Sequence, residues 1–241
     1  MNLNDNVKNN NQSIEAFWNN CHLKLCNNYQ VWLTGSKGPE VWNILNIIDK
    51  IKPKINVLNI GVGLGYCTKE LVRRKCNVHV LDISKHALDK VRDIAKTYLP
   101  TELQDMPQNY FDLIISNLVA QHMSHNELST HIKYLLKTMK PTGVFAMQFA
   151  FSTIPENNNI EPSLPDMKSG GVCRTLSFVS GIVEKGGGYI LYTNRIGLFP
   201  EYQSGWYAIH IARRDYPYIS SIRNKDLSVY EKIRLKLHVF K

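Results

Sequence analysis

The sequence lacks several features that define common structural classes. It contains no run of roughly 20 apolar residues, the length that a membrane-spanning helix needs. Its five cysteines form no CxxC pair, so they do not predict a zinc site. No segment recurs at the periods of repeat proteins. Acidic residues are also scarce relative to basic ones, 20 against 29. These absences argue against an integral membrane protein, a zinc module and a solenoid.

The cysteines and the N-terminal segment bear on cellular location. The cysteines are scattered, at Cys21, Cys26, Cys67, Cys76 and Cys173. The segment MNLNDNVKNNNQ is rich in Asn and has no apolar core, so it is not typical of a secretory signal. Reduced thiols in the cytoplasm are therefore our expectation. The spacing of the first two cysteines also permits a metal-binding interpretation, but two ordinary helix residues are the simpler one, and we expect no metal.

The formal charge of +9 suits a nucleic acid, an anionic membrane surface or a phosphorylated substrate as partner. The charge does not choose among these partners. Much of the excess lies late in the chain, between Arg213 and Lys241. We interpret this region as a solvated basic helix.

Hydrophobic patterning predicts an α/β domain with a helical N-terminal cap. We expect a disordered tail over residues 1–12, the cap over 13–52 and a basic C-terminal helix over 215–241. Between them, residues 53–214 alternate strands with helices, which predicts a doubly wound, mostly parallel sheet. The strands are predicted at 56–60, 77–81, 111–116, 144–149, 189–193 and 206–212. The helices between them are predicted at 66–75, at 128–139, at 175–184 and from Ser84 to Ile94.

The segment VLNIGVGLGY, residues 57–66, is the most informative motif. Gly61, Gly63 and Gly65 lie between a predicted strand and a predicted helix, where a missing side chain lets the backbone turn or approach a ligand. Asp82 ends the next strand, and a carboxylate there accepts hydrogen bonds from vicinal ribose hydroxyls. Because ligands bind beyond the carboxyl ends of parallel strands, the pattern predicts a nucleotide-cofactor site.

Two other nucleotide-binding classes fit this loop less well. A P-loop needs Gly-Lys followed by Ser or Thr, whereas Gly65 precedes Tyr66 and Cys67. A nicotinamide site needs GxGxxG, whereas this loop reads GxGxG, which suits a cofactor without a pyrophosphate. Each feature also has a structural alternative. The glycine loop could be a tight turn that binds no ligand. Asp82 could be the N-cap of the next helix, a role for which Ser84 is the other candidate.

These residues resemble the first motifs of the class I, Rossmann-like methyltransferases that use S-adenosyl-L-methionine, and the resemblance runs from about residue 32 to residue 213. In that family the glycine loop passes under the methionine part of the cofactor. Asp82 matches the acidic residue that holds the ribose, and Ile83 matches the apolar residue beside the adenine. The segments TELQDMPQNYFDLIISN, LVAQHM and LLKTMKPTGVFAMQF resemble later motifs in order. The resemblance implies a seven-stranded sheet with an antiparallel last strand.

The resemblance also implies a methyltransferase enzyme and its cofactor residues. Glu102 would lie near the adenine amine, at a position where the family usually has Asp, and Leu103 would supply backbone contacts. Asn59 stands where the family often has an acidic residue. The implied cofactor-binding residues are Asn59, Gly61, Gly63, Gly65, Tyr66, Asp82, Ile83, Glu102, Leu103, Asn117 and Leu118.

His122 is the candidate catalytic residue. Methyl transfer from a sulfonium is an in-line displacement, and a hydroxyl nucleophile also needs a base near neutral pH. His122 follows the fourth predicted strand and carries the side chain whose ordinary pKa is nearest neutrality. A base, a substrate ligand and a structural hydrogen-bonding residue all stay open as its role. His125, three residues on, is expected to point away.

The leading hypothesis is a methyltransferase for a small acceptor such as a sugar, a lipid-linked intermediate or a secondary metabolite. The N-terminal helices, with Phe17 and Trp18, are expected to cover the crevice. The alternatives are an RNA- or protein-directed methyltransferase that uses the basic surface, a non-catalytic cofactor-binding homologue and, less well supported, a nicotinamide oxidoreductase. The RNA alternative is weakened because SNLVAQ follows FDLIIS, instead of an Asn-Pro-Pro-Tyr or Asp-Pro-Pro-Tyr tetrad. The acceptor atom and the oligomeric state stay open.

Overall fold

The computed structural model describes residues 14–23, 38–163, 171–199 and 204–217. The predicted tail over residues 1–12 and nearly all of the predicted C-terminal helix lie outside the described residues. No helix in the described part of the chain combines the length and the apolar character needed to cross a membrane.

A seven-stranded sheet forms the centre of the fold, in the order β3-β2-β1-β4-β5-β7-β6. Strands β1 to β5 are parallel, whereas β7 runs antiparallel to both β5 and β6. The predicted doubly wound sheet with an antiparallel last strand is confirmed. The strands are β1 (Asn56–Ile60), β2 (Asn77–Leu81), β3 (Lys96–Tyr98), β4 (Phe111–Ser116), β5 (Met139–Ser152), β6 (Gly188–Phe199) and β7 (Ser204–Arg213).

Helices pack on both faces of this sheet. They are α1 (residues 14–23), α2 (Gly38–Ile44), α3 (Tyr66–Arg73), α4 (Lys85–Asp89), α5 (His125–Thr138) and α6 (Leu176–Gly186). Short 3-10 turns lie at Ile48–Lys50, Pro100–Asp105, Ala120–His122 and Pro155–Asn159.

Alternate residues of each central strand enter two different hydrophobic clusters. Leu58, Ile114 and Phe145 belong to the cluster that includes α5 and α6. Val57 and Leu113, one residue before the first two, belong to the cluster that includes α2 and α3. Because neighbouring side chains of a strand point to opposite faces, continuous apolar runs are what a sheet covered on both faces requires.

The strand order reverses beside β1, which pairs with β2 on one side and with β4 on the other. The helix after β1 and the helix after β4 therefore cover opposite faces, and the chain leaves a crevice between them. Ligands of doubly wound sheets bind at this position, beyond the carboxyl ends of the strands.

The structure corrects the predicted helix from Ser84 to Ile94. Helix α4 ends at Asp89. The backbone N–H groups of Lys90, Val91 and Ile94 then bond to carbonyls three residues earlier, which are turn bonds instead of α-helical ones. The chain continues into β3, a strand too short and polar for the sequence pattern to predict.

The boundary between α5 and β5 also differs from the prediction. Strand β5 begins at Met139, directly after the helix, and not at Val144. Met139 pairs with Phe111, and the register shifts before Val144 pairs with Leu113. The ammonium of Lys140 bonds to the Asp112 carboxylate at 2.7 Å, which keeps the irregular segment beside β4.

Helix α5 begins at a capping box three residues before its predicted start. The Ser124 hydroxyl accepts a hydrogen bond from the Glu127 backbone N–H, and the Glu127 carboxylate accepts one from the Ser124 backbone N–H. These two bonds satisfy donors that the first turn of a helix leaves free.

We expect Ser124→Ala to lower the free energy of unfolding by about 1 kcal/mol, because it removes the hydroxyl of this cap. Urea denaturation monitored by circular dichroism measures the change. Ser180→Ala, within α6, is the control and should stay within about 0.5 kcal/mol. Equal effects of the two substitutions would show that the cap does not stabilise α5.

Candidate active site

The glycine loop between β1 and α3 has a backbone conformation that favours glycine. Gly61, Gly63 and Gly65 have φ angles of 79°, 57° and 82°, in the left-handed region that other residues adopt at a cost. A β-carbon on Gly61 would lie 2.4 Å from Cγ2 of Val119. The glycines therefore bring the loop backbone close to the loop that follows β4.

The carboxylate of Asp82 is buried at the carboxyl end of β2. Its Oδ2 accepts a 2.6 Å hydrogen bond from the Val62 N–H, and its Oδ1 accepts a 2.8 Å bond from the Ser84 N–H. Burial raises the pKa of Asp82 to about 6, although these N–H groups and the Lys90 ammonium favour the charged form. Because a carboxylate has about four acceptor positions, it can accept further bonds from a ligand. Ser84 caps α4 through its own hydroxyl.

A cavity of about 490 Å³ lies beyond the ends of β1, β2 and β4. Its walls come from the glycine loop, from the residues after β2 and β4, and from α1. This size is in the range of sites for small molecules and cofactors.

The loop from β4 to α5 supplies the polar part of the wall. Its path turns sharply at Leu118, a non-glycine residue with a φ of 58°. Oδ1 of Asn117 and Oε1 of Gln121 are buried and have no hydrogen-bond partner among the described residues. Because a buried polar atom normally has a partner, unpaired atoms in a cavity wall indicate where a ligand would bind.

His122 ends the 3-10 turn of this loop and faces the same cavity. Burial, and then the positive charge of Arg174, lower its pKa to about 4. The imidazole is therefore neutral at pH 7. Nε2 lies 3.4 Å from Nε2 of Gln121, and Nδ1 has no partner among the described groups. A neutral imidazole beside a cavity can accept a proton.

Helix α1 closes the cavity from outside the sheet. Ile14, Trp18 and His22 line it. The helix contacts both neighbouring loops, because the Ser84 hydroxyl donates a 2.8 Å bond to Oδ1 of Asn19 and the Trp18 ring lies edge-on to His122 with centroids 5.0 Å apart. Helix α1 thus links the end of β2 to the end of β4.

The structure brings together some of the predicted site residues but not all. The predicted residues that line the cavity are Gly61, Gly63, Asp82, Ile83, Asn117, Leu118 and His122. Their individual roles stay predictions.

The other predicted residues lie outside its lining. The Glu102 carboxylate is exposed and accepts a 2.6 Å bond from the Leu99 N–H, and Leu103 is part of the core. The Asn59 amide donates to the Thr68 hydroxyl at 3.1 Å. Gly65 caps α3, and the Tyr66 side chain is 43% exposed.

Sequence reasoning missed several residues of the cavity wall. These are Pro100, Val119, Met123, Glu127, His131 and Trp206. Glu127 and His131 are one helical turn apart, so the helix period of α5 could have placed them on one face. Trp206 comes from β7, at the far end of the sequence, and only the strand pairing brings it here.

The matched family fits this geometry. Residues 57–143 match the family of methyltransferase domains. The N-terminal Xaa-Pro-Lys N-methyltransferase 1 of Danio rerio is 28% identical over 159 residues, which are 60% of this chain and 66% of that protein. The malonyl-[acyl-carrier protein] O-methyltransferase of Acetivibrio thermocellus is 29% identical over 123 residues, 47% of this chain and 42% of that protein. The chain thus matches less than two thirds of the length of either relative.

A solved structure with the same fold contains S-adenosylhomocysteine, the form that S-adenosylmethionine takes after it has lost its methyl group. It is the 1,6-didemethyltoxoflavin-N1-methyltransferase of Burkholderia thailandensis with bound 1,6-didemethyltoxoflavin and S-adenosylhomocysteine. Its TM-score is 0.63 at 13% identity, and the match covers 84% of this chain and 88% of that one. Over residues 57–143 the chain thus matches a methyltransferase domain, and it shares the fold of this solved methyltransferase structure. The predicted resemblance to S-adenosylmethionine-dependent methyltransferases is confirmed for this segment.

We expect Gly61→Ala to destabilise the protein through two separate effects. The left-handed φ costs an alanine about 1–2 kcal/mol, and the contact with Val119 costs about 1–3 kcal/mol more. Gly187→Ala is a matched control, because Gly187 has a φ of 94° but no atom within 4 Å of an added β-carbon. Denaturant unfolding of both variants separates backbone strain from the contact. A loss for Gly61→Ala no larger than that for Gly187→Ala would contradict the close approach of the two loops.

Proposed function

We propose that this protein transfers the methyl group of S-adenosylmethionine to a small acceptor that binds beside His122. One observation carries the proposal: a single cavity of about 490 Å³ is lined by the glycine loop, by Asp82 and by His122. A candidate cofactor site and a candidate base therefore share one cavity. A cytoplasmic location, which the scattered cysteines favour, stays a prediction.

The cavity residues suit the chemical groups of S-adenosylmethionine. Gly61 and Gly63 expose backbone to a ligand, and Asp82 offers carboxylate oxygens to ribose hydroxyls. The buried, unpaired Oδ1 of Asn117 suits a donor such as the cofactor ammonium. When bound, this cofactor supplies an electrophilic methyl group on a sulfonium. The chain's own contribution is to align the acceptor with that methyl group and to exclude water.

His122 suits a base that acts late in the reaction. A pKa of about 4 keeps the imidazole unprotonated at neutral pH, so it is always ready to accept a proton. The same low pKa makes the imidazole a weak base, which removes a proton from a neutral hydroxyl only with difficulty. Such a base is effective when the acceptor's proton becomes acidic as the new bond to carbon forms.

The volume of the cavity, about 490 Å³, favours a small acceptor or the end of a larger one. Helix α1 covers the space, and the cofactor and the acceptor's reacting group must share its volume. The two relatives are named for the end of a larger acceptor, one for an N-terminal Xaa-Pro-Lys sequence and the other for a malonyl group on a carrier protein. The Burkholderia thailandensis structure, in contrast, contains the small molecule 1,6-didemethyltoxoflavin. The small acceptor is our first proposal, and a peptide N-terminus is the second candidate because of the match to the Danio rerio protein.

The first test is calorimetric titration of the purified protein with S-adenosylmethionine and S-adenosylhomocysteine. Binding would justify a screen with radiolabelled methyl donor against small alcohols, amines and acids, and against a peptide that begins Xaa-Pro-Lys. An N-acetylated copy of the peptide is its control. A folded protein that binds neither cofactor form would refute the proposal, and binding without transfer to any acceptor would favour a non-catalytic homologue.

We expect the affinity for S-adenosylhomocysteine to fall as pH decreases through about 6. The pKa of Asp82 in the free protein is about 6, and the ionised carboxylate is the better acceptor for ribose hydroxyls. Each pH unit below the pKa therefore lowers the affinity by up to about tenfold. Titrations between pH 5 and pH 8 measure the slope.

Asp82→Asn is the control for this pH dependence. The variant should bind more weakly at pH 8 and show a much smaller slope in this window, because burial lowers the pKa of all three cavity histidines, to about 4 for His22 and His122 and below its ordinary value for His131. The same slope in the variant would assign the titration to another group.

His122→Gln should lower the methyl-transfer rate by a factor of about 10²–10⁴, because it removes the base but keeps a polar side chain. Affinity for S-adenosylhomocysteine should change little. His125→Gln is the control: His125 pairs with Glu161 at 3.0 Å and packs against Phe178. If both variants transfer methyl groups at the wild-type rate, His122 is not the base.

A further inference from the structure

Arg174 is a cation in an unusual place. It lies just before α6 and is only 1% exposed. Among the described residues, no carboxylate lies within ion-pair distance of it. Burying a charge without such a partner is costly unless hydrogen bonds compensate. The position of this guanidinium therefore needs an explanation.

Two carbonyl groups compensate the terminal nitrogens of the guanidinium, whereas Nε is buried without a partner among the described residues. Nη1 donates a 3.0 Å hydrogen bond to the carbonyl of Ala120, and Nη2 donates a 2.5 Å bond to the carbonyl of Met123. These carbonyls flank the 3-10 turn that contains His122. The planar guanidinium can bond to both carbonyls at once, whereas a lysine ammonium is a single point charge on a flexible chain.

The backbone of Arg174 is anchored independently of its side chain. Its N–H donates to the carbonyl of Ala150 at 2.9 Å, and its carbonyl accepts a bond from the Ser152 N–H at 3.1 Å. Two residues earlier, the Val172 N–H donates to the carbonyl of Gln121 at 2.9 Å. Residues 172–174 thus connect the end of β5 to the 3-10 turn.

We propose that Arg174 is a positioning residue that holds the 3-10 turn Ala120–His122, and with it the His122 imidazole, against the acceptor end of the cavity. The catalytic part of this inference rests on the proposed function. The positioning part concerns the free protein and is tested separately.

The charge of Arg174 supports the same role. After burial, it is the second cause of the low pKa of His122. Burial lowers the pKa of Arg174, whereas the negative charges of Glu161 and Glu127 raise it and so favour the charged guanidinium. Arg174 keeps a pKa of about 10 despite its burial, so it stays protonated at neutral pH. One side chain therefore holds the turn that carries His122 and adds to the lowering of the His122 pKa that burial causes.

Two substitutions of Arg174 separate geometry from charge. Arg174→Met removes both, so the pKa of His122, followed by NMR of the imidazole in the free protein, should rise. The transfer rate at saturating substrate should fall by a factor on the order of ten to a hundred. Arg174→Lys keeps the charge but loses the planar group that bonds to both carbonyls. The pKa of His122 should therefore stay low, while the transfer rate should lie between those of the wild type and Arg174→Met.

Gly171→Ala disturbs the same turn without changing any charge. A β-carbon on Gly171 would lie 2.6 Å from both Cγ and the carbonyl oxygen of Gln121. The rate should therefore fall although Arg174 is present. Gly187→Ala is the matched control, because Gly187 has a φ of 94°, close to the 91° of Gly171, and no atom lies within 4 Å of its added β-carbon. Its rate should match that of the wild type. These variants keep the test decisive if Arg174→Met fails to fold.

The outcomes distinguish this inference from the proposed function. A wild-type protein without methyl transfer refutes the function, while the NMR measurement still tests the positioning of His122. A folded Arg174→Met variant with unchanged His122 signals and pKa would overturn the inference. Full activity of both Arg174→Lys and Gly171→Ala would also overturn it, because neither keeps the turn as it is.

Discussion

The hydrogen bonds of the Asp82 carboxylate are the constraint on which the site depends. One oxygen accepts the Val62 N–H and the other accepts the Ser84 N–H, so a single side chain fixes both the glycine loop and the start of α4. The carboxylate that accepts these bonds is buried, and burial raises its pKa to about 6. Carboxylates with a raised pKa are typical of functional sites. Hydrogen bonds from a ligand would offset the free-energy cost of ionising such a buried group.

The acceptor end of the cavity is organised by a second buried charge of opposite sign. The guanidinium of Arg174 bonds to backbone carbonyls and the carboxylate of Asp82 to backbone N–H groups, so neither charge needs a direct counter-ion. The two charges act on the loops after β4 and after β2, respectively. The neutral His122 lies in the first of these loops. The fold thus brings two opposite electrostatic environments to neighbouring strand ends.

The sequence predicted the elements whose patterns are local. Strands β1, β2 and β4 have the predicted bounds, because each is a short apolar run between clear breaks. The polar β3 and the early start of β5 were missed, because they depend on pairing with distant strands. Motif spacing placed Asp82 and His122 at the cavity. The Glu102 carboxylate lies outside the cavity lining and accepts a bond from the Leu99 N–H. No local pattern marked Arg174, since its partners are more than fifty residues away.

Helix α1 would couple the exchange of a ligand to a conformational equilibrium if the ligand passes beneath this helix. Its contacts with Ser84 and with His122 lie on both sides of the cavity, so a molecule that leaves past α1 must first break them. The docking free energy of this helix therefore contributes to the residence time of any bound ligand. It also lowers the apparent affinity for a ligand that enters only when the helix is open. Substitutions in α1 that touch no ligand would in this way alter the rate of turnover.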